Sequence, residues 1–251
     1  MFDLETFGLK EMVECSKALR TATPCDMSME QKADRVVRYL HENLVVGASQ
    51  ERAIPLVRFF KTHPYAELGP ELRSVARGMA GEQDLSDVKC LVLLGSAGIL
   101  SEWNGRQHSA GHQAIPLFNE QSVRKSPMIW QLIRQLGLEI DDLLHLDPHA
   151  LAERSSTNYK VFHIQKAVGS PFIPEQDDFV IRHGIKSVLG FGGMLPSGNL
   201  FAVLMFSRFY IPHNVAALFR SVALSVKMAV LPFDDQHVFS NSQELAASSA
   251  T

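Results

Sequence analysis

The sequence has few cysteines and no long apolar run. Its three cysteines, Cys15, Cys25 and Cys90, are an odd number and form no CxxC pair, so neither a disulfide framework nor a thiolate zinc site is indicated. No stretch reaches the roughly 18 apolar residues that a membrane-spanning helix needs, and the first residues lack the pattern of a signal peptide. We therefore expect a cytoplasmic protein with buried, unreactive thiols.

An excess of charge of one sign is also absent. The 24 Lys and Arg residues and 27 Asp and Glu residues give a formal net charge of -3. This composition offers no basic surface for nucleic acid or for an anionic membrane, so neither is expected as a partner. With 251 residues, of which 46% are hydrophobic and 20% charged, the chain is long enough to bury a sizeable core.

Catalytic motifs are missing as well. The glycine-rich run GFGG, 190–193, falls inside a predicted hairpin and does not open a helix, so a phosphate-binding loop is not indicated. Ser96 and Ser207 lie outside any GxSxG nucleophile motif. Asp177 and Asp178 are adjacent, which usually turns their side chains to different sides. We therefore expect no enzymatic activity.

What is present is an alternation of helical and strand patterns without an internal repeat. Apolar residues at helical spacing predict two N-terminal helices, the second with Ser28 as N-cap and Gly47 as terminator. The polar, glycine-rich stretch 100–118 is predicted to be a connection. In chain order, the predicted elements up to residue 164 are helices 2–20 and 28–46, strand 53–60, helix 67–81, strand 88–96, helix 126–137, a short helix near 141–153 and strand 158–164.

The segment 184–231 carries the clearest pattern. Two β-branched and aromatic runs, 184–192 and 199–208, are separated by a turn built on proline, serine and glycine, which predicts an antiparallel hairpin. The second run is apolar on both faces and should be a central strand. An amphipathic helix over 215–230 follows, and from Asp234 the chain is rich in Ser, Ala and Gln, which predicts disorder.

Over about 158–231 these residues resemble the C-terminal half of a GAF domain. The matching stretches are FHIQKAVGSPFIPEQDDFVIRHGI, GIKSVLGFGGMLPSGNLFAVLMFS and NVAALFRSVALSVKMAVL. The resemblance implies an α+β fold, an α/β sandwich with a central antiparallel sheet of five or six strands, terminal helices on one face and a ligand pocket on the other. It divides the chain into an N-terminal helical segment, 1–47, a GAF-like sensory domain, 48–233, and a disordered tail, 234–251.

The chain is also similar to sensory modules of bacterial histidine kinases and phosphatases. This implies a small-molecule-binding module in signal transduction that forms a homodimer and acts on a downstream kinase or phosphatase. The family binds cyclic nucleotides, haem, bilins, iron or small metabolites, so the ligand and any cofactor are left open. Alternatives are a dimerisation or scaffold module without ligand, and a haem or metal sensor. An enzyme alternative is a GAF-like reductase of free methionine sulfoxide, but such enzymes use cysteines beside the pocket, a pattern that this sequence does not match.

Two groups of residues are candidates for the ligand site. The first lies in the 100–118 connection, where an aromatic ring, an amide, a guanidinium and two imidazoles occur within ten residues: Trp103, Asn104, Arg106, His108 and His112. The second precedes the hairpin and suits an acidic ligand: His163, Arg182 and His183. We expect Trp103, Arg106 and His112 to line a pocket near residues 163 and 182.

Structural roles for these residues stay open. Trp103 would then cover the core, and Arg106 would form an ion pair at the surface. His108 and His112 have the i,i+4 spacing of two ligands on one helix face, but no further ligand motif completes a metal site.

Overall fold

A six-stranded antiparallel sheet organises the chain. The computed structural model describes residues 1–21, 28–48, 50–109, 112–145, 160–235 and 237–240. The strands of this sheet are β4 (Leu56–Pro64), β5 (Lys89–Gly98), β6 (Ala114–Leu117), β7 (Val161–Ile164), β8 (Ser187–Met194) and β9 (Leu200–Ser207). They are ordered β6-β5-β4-β9-β8-β7, and each neighbouring pair is antiparallel.

A small second sheet joins the N-terminus to the end of the second helix. Its strands are β1 (Phe2–Asp3), β2 (Leu44–Val46) and β3 (Glu51–Arg52). The helices are α1 (Leu9–Arg20), α2 (Met29–Asn43), α3 (Pro70–Ala80), α4 (Glu120–Arg124), α5 (Pro127–Gln135), α6 (Ile140–His145) and α7 (His213–Val230). Short 3-10 turns occur at 65–67, 101–103, 106–108 and 231–233, and a π-helical turn spans Gln176–Ile181.

Three helices cover one face of the large sheet. α2 lies over β4 and β5, α7 lies over β7 and β8, and α1 packs on α7. We call this side the helix face; its buried side chains include Val57, Phe59, Val203 and Phe219. The opposite side, the distal face, has its own apolar cluster, whose sheet residues include Leu56, Phe60, Leu93 and Leu204. Side chains of α5, α6 and residues 167–185 cover the distal face.

The predicted hairpin and the α+β architecture are confirmed. β8 and β9 pair from Ser187 opposite Ser207 to Met194 opposite Leu200. β9 lies between β4 and β8, and every one of its residues is buried, as its apolar pattern predicts. The predicted helices 67–81, 126–137 and 215–230 and strands 88–96 and 158–164 correspond to α3, α5, α7, β5 and β7, within a few residues at their ends.

Several predicted boundaries are wrong. Phe2–Asp3 pairs with β2, so α1 begins only at Leu9 and not at residue 2. The strand predicted over 53–60 is displaced to β4, which continues through polar residues to Pro64. The predicted 100–118 connection contains β6 in addition to two 3-10 turns. Of the helix predicted near 141–153, residues 146–153 lie outside the described residues.

The first helices and the start of the predicted tail contribute to the main core. Side chains of α1 and α2 belong to the same apolar cluster as β4, β9 and α7. Val238 is 7% exposed and belongs to that cluster too. Residues 241–251 of the predicted disordered tail lie outside the described residues.

α7 is also the most apolar long helix. With residues 231–233 it forms the segment His213–Phe233, which within the described ranges is long and apolar enough, by length and composition, to cross a membrane. Of the apolar 18-residue stretch within this segment, 50% is buried against the rest of the chain. Because core helices meet the same criteria, this is weak evidence for a membrane span.

Candidate functional site

One arginine lies within the distal face of the sheet. Arg58 is on β4, where side chains alternate between the faces, and it shares the distal face with Leu56 and Phe60. Across the strands it pairs with Ser96 on β5 and Leu204 on β9. The guanidinium is therefore set in a largely apolar surface.

The guanidinium of Arg58 makes few hydrogen bonds with the described residues. One terminal nitrogen lies 3.4 Å from Ser109 Oγ, which is a long hydrogen bond, and Nε is buried with no partner among those residues. Burial lowers the pKa of Arg58 to about 10, and no carboxylate in the described part of the chain counteracts this. At neutral pH the group is still a cation. The residue as a whole is half-buried, and a buried guanidinium N–H without a partner is unfavourable, so this arrangement indicates a place for an anion.

Aromatic rings form a cluster at one end of the distal face. The ring of Trp103 packs edge-on against Phe179 and His183, with centroid distances of 5.7 and 4.6 Å. Phe179 in turn packs against Phe206 at 4.9 Å. Phe206 lies two residues along β9 from the position opposite Arg58, a separation of about 7 Å along a strand. A ligand that pairs with Arg58 and extends along β9 would reach this aromatic cluster.

Asn104 and Ser96 fix the backbone around Trp103. Asn104 Oδ1 accepts from Gly98 N at 3.1 Å, and its Nδ2 donates to the carbonyls of Gly98 and Leu100 at 3.0 and 2.7 Å. Ser96 Oγ donates to the carbonyl of Trp103 at 2.7 Å. A Cβ at Gly98 would lie 2.9 Å from the Trp103 side chain, so glycine permits the close approach. The side-chain amide of Asn104 thus stabilises the backbone at the start of the 100–118 connection.

Arg106 contacts a different part of the molecule. Its Nε and one terminal nitrogen donate to Glu30 Oε1 at 2.8 and 2.7 Å. Its guanidinium carbon lies 5.9 Å from the centroid of the Phe239 ring. Glu30 belongs to the first turn of α2, on the helix face. The structure therefore places Arg106 with Glu30 and not with Trp103.

The two histidines of the same connection lie at the surface. His108 and His112 are both exposed, and His108 Nδ1 is 2.8 Å from the carbonyl oxygen of Asn104. The 3-10 turn ends at His108, so the helix that would align the two imidazoles is not formed at the described positions. Within the described ranges, no group of three or more His, Cys, Asp or Glu is arranged to hold a metal ion.

His163 lies on the helix side of β7. Its neighbours Phe162 and Ile164 face the distal side, and side chains alternate along the strand. The ring of His163 stacks on that of His213 with centroids 6.2 Å apart, and its Nε2 is buried without a partner in the described chain. Burial, and then His213, lowers the pKa of His163.

The second predicted group is thus divided between the two faces. His183 joins Trp103 on the distal face, whereas His163 lies on the other. Burial, and then Arg182 and Arg208, lowers the pKa of His183, which favours a neutral imidazole that can accept or donate a hydrogen bond. The side chain of Arg182 is exposed.

A buried ionic cluster occupies the helix face of β4. Lys61 is 0% exposed, and its Nζ lies 3.6 Å from Asp234 Oδ1 and 3.5 Å from His63 Nδ1. Asp234 also accepts from the backbone nitrogen and Oγ of Ser197 at 2.9 and 2.7 Å. Burial lowers the pKa of Lys61, and burial together with Lys61 lowers that of His63 to about 4. These groups satisfy one another and hold the chain after α7 on β4.

The two thiols in the described part of the chain do not offer a reactive centre. Cys15 and Cys90 are free and buried, and burial raises the pKa of each to about 12. Cys90 belongs to the helix-face cluster, away from Arg58. A nucleophilic thiol needs a lowered pKa and access to solvent. Cys25 lies outside the described residues.

Our sequence interpretation does not single out Arg58, although the sequence contains a signal for it. The run AIPLVRFF, 53–60, is apolar except for this one arginine. In a strand buried on both faces, a charged side chain has to be paired or has to serve a ligand. An isolated cation inside an apolar strand pattern therefore marks a candidate site.

Comparisons with known proteins add no assignment. No protein-family model matches the chain, and no curated protein matches it. The functional argument therefore depends on the geometry described above.

Proposed function

We propose that this protein is a cytoplasmic sensory or regulatory module that binds a small anionic molecule on the distal face of its sheet. The observation that carries the proposal is the guanidinium of Arg58, whose Nε is buried without a partner in the described chain. A ligand that supplies a negative charge would pair with this N–H and offset the cost of partly burying the cation.

The resemblance to GAF domains supports the same location. In that family the terminal helices lie on one face of the sheet and the ligand pocket lies on the other. Here α1, α2 and α7 lie on the helix face, whereas Arg58 and Trp103 lie on the distal face. Six antiparallel strands agree with the five or six that the resemblance implies. The unpartnered Nε of Arg58 and the resemblance to GAF domains therefore both favour a ligand site on the distal face.

The surroundings of Arg58 favour a monoanion with an apolar body. A guanidinium binds a carboxylate through two parallel N–H groups. Its neighbours on the sheet are Leu56, Phe60, Leu204 and Ser96, none of which supplies a second cation for a phosphate dianion. The aromatic cluster of Trp103, Phe179 and Phe206 on the same face suits a planar or aliphatic group. A small carboxylate is thus the ligand class that the site fits best.

Thermal unfolding with an anion tests this proposal. Sodium benzoate at about 100 times its dissociation constant should stabilise the protein by about 2.7 kcal/mol, which is a rise in Tm of roughly 5–10 °C for a chain of this size. Arg58→Leu should abolish that rise, because leucine cannot pair with a carboxylate. Sodium acetate, sodium phosphate and sodium chloride at equal ionic strength separate a carboxylate effect from a salt effect.

The Tm of Arg58→Leu without anion is the second readout. Because leucine removes a poorly paired, half-buried cation but also its long hydrogen bond to Ser109, this Tm should stay close to that of the wild type. Arg20→Leu, at an exposed position near the end of α1, is the control and should keep the full benzoate effect. A lowered Tm for Arg58→Leu, with no stabilisation of the wild type by any of these anions, would show that Arg58 is structural and contradict the proposal.

Exposed apolar residues on α1 and α7 support a homodimer, as the resemblance implies. Leu9 and Val13 on α1 are 69% and 56% exposed, and Leu224 and Met228 on α7 are 46% and 55% exposed. Each pair has i,i+4 spacing and so forms a stripe on its helix. The two helices pack against each other, which brings the stripes onto neighbouring surfaces. We propose that two copies pair here and pass the signal to a histidine kinase or phosphatase.

The dimer prediction is tested by size-exclusion chromatography with light scattering. At low micromolar concentration the mass should be about twice the 27.9 kDa of the chain. The double variant Leu224→Glu/Met228→Glu should be monomeric and folded, because both positions are exposed in one copy. Ile181→Glu, at a 57% exposed position outside these helices, should stay dimeric. A monomeric wild type would exclude this interface.

A further inference from the structure

Residues 237–240, which we call the strap, cap the start of α2. The backbone N–H groups of Met29 and Glu30 donate to the carbonyls of His237 and Val238 at 2.7 and 2.9 Å. N–H groups in the first turn of a helix have no acceptor within that helix, so the strap supplies partners that they otherwise lack. The next N–H, that of Gln31, is bonded to the side chain of the predicted N-cap, Ser28.

Side chains add to this attachment. Ser240 N donates to Glu30 Oε2 at 3.0 Å, and the hydroxyls of Ser28 and Ser240 are 2.9 Å apart. The Phe239 ring packs edge-on against His63 with centroids 5.2 Å apart. Asp234, bonded to Lys61 and Ser197, anchors the chain before the strap. Release of the strap would therefore begin after Asp234.

One short turn connects the strap to the proposed anion site. Arg106, at the start of the turn, donates to Glu30 and lies against Phe239. Ser109, three residues later, accepts the one hydrogen bond that the guanidinium of Arg58 makes with a described residue. Ser109 N donates to the carbonyl of Arg106 at 3.1 Å, so a hydrogen bond joins the two ends of the turn.

We propose that the strap is a latch whose closure depends on the contact between Arg58 and Ser109, an inference that rests on the proposed function. An anion that pairs with Arg58 competes with Ser109 for the guanidinium and frees the 106–109 turn. The turn then no longer holds Arg106 on Glu30 and Phe239, and the strap detaches from α2. The anion thus shifts a two-state equilibrium, closed without anion and open with it. By linkage, loosening the strap should strengthen anion binding by the same factor.

Amide hydrogen exchange at Met29 and Glu30, followed by NMR, measures the latch directly. Their acceptors are strap carbonyls, so their exchange rates report detachment. Ser109→Ala removes the contact with Arg58 and imitates the bound state without any ligand. Coupling between sites is typically 5- to 150-fold, so this variant should accelerate exchange at both amides by at least about fivefold. Arg106→Gln should also accelerate exchange at both amides by at least about fivefold.

Controls separate detachment from general unfolding. Amides of β9, such as that of Val203, should keep wild-type protection in both variants, and Ser221→Ala, at an exposed position on α7, should change nothing. Wild-type exchange at Met29 and Glu30 in Ser109→Ala would overturn the latch whether or not an anion binds. Benzoate that raises the Tm of the wild type without accelerating these amides would also overturn it, while the proposed function would stand.

Discussion

Asp234→Ala should lower the free energy of unfolding by about 3–5 kcal/mol, as measured by urea denaturation at pH 7. The side chains of Lys61 and Asp234 are 1% and 3% exposed, so the alanine leaves an ammonium group in the core without its counter-ion. Ser197 loses the acceptor for its backbone N–H and its hydroxyl at the same time. Removal of one partner of a buried pair is far more costly than removal of both.

The double variant Lys61→Met/Asp234→Ala separates the charge effect from lost packing. It should recover more than half of the lost stability, because no buried charge is left. Asp87→Ala, at an exposed position, should stay within about 0.5 kcal/mol of the wild type. If Asp234→Ala were as stable as Asp87→Ala, Asp234 would not be the partner that compensates Lys61.

Gly192→Ala should destabilise the sheet by about 3 kcal/mol or more. An added Cβ would lie 2.2 Å from the carbonyl oxygen of Phe201 and 3.0 Å from Cα of Ala202 on the neighbouring strand. Both contacts are with backbone, which cannot move aside without separating β8 from the central strand β9. The measurement is again urea denaturation, with solubility as a secondary readout.

Gly78→Ala is the matched control for that substitution. Gly78 lies inside α3, and an added Cβ would meet nothing within 4 Å. Alanine should therefore stabilise the protein by about 0.5–1 kcal/mol through its better helix propensity. Equal effects at Gly192 and Gly78 would contradict the close approach of β8 and β9.

The sequence predicts the elements whose pattern is local. α7 and the β8–β9 hairpin were predictable because their apolar spacing and turn residues lie within short windows. The second half of β4, with Lys61, Thr62 and His63, was not, because its polar residues have partners far along the chain: Asp234 for Lys61, and Asn199 and Leu200 for Thr62. β1 and β3 have two residues each, too few to show a period.

The candidate site could be predicted only in part. The 100–118 connection does reach the distal face, and Trp103 and His183 meet there as aromatic neighbours. The sequence groups Arg106 with Trp103 because the two are close along the chain, whereas its partner Glu30 is 76 residues away, a distance at which sequence pattern carries no information. Arg58 stands out in the sequence as the one charge in the apolar run 53–60, but only strand register shows that Ser96 and Leu204 are its neighbours across the sheet.

The most direct test of the central claim is the NMR signal of the Arg58 Nε–H group, assigned by comparison with Arg58→Lys. Nε is the buried atom without a partner in the described chain, so an anion at the site should act on it first. Sodium benzoate should shift this signal in a saturable way, with the dissociation constant obtained from thermal unfolding, and sodium chloride at equal ionic strength should not. A signal that stays unchanged through the whole benzoate titration would contradict an anion site on the distal face.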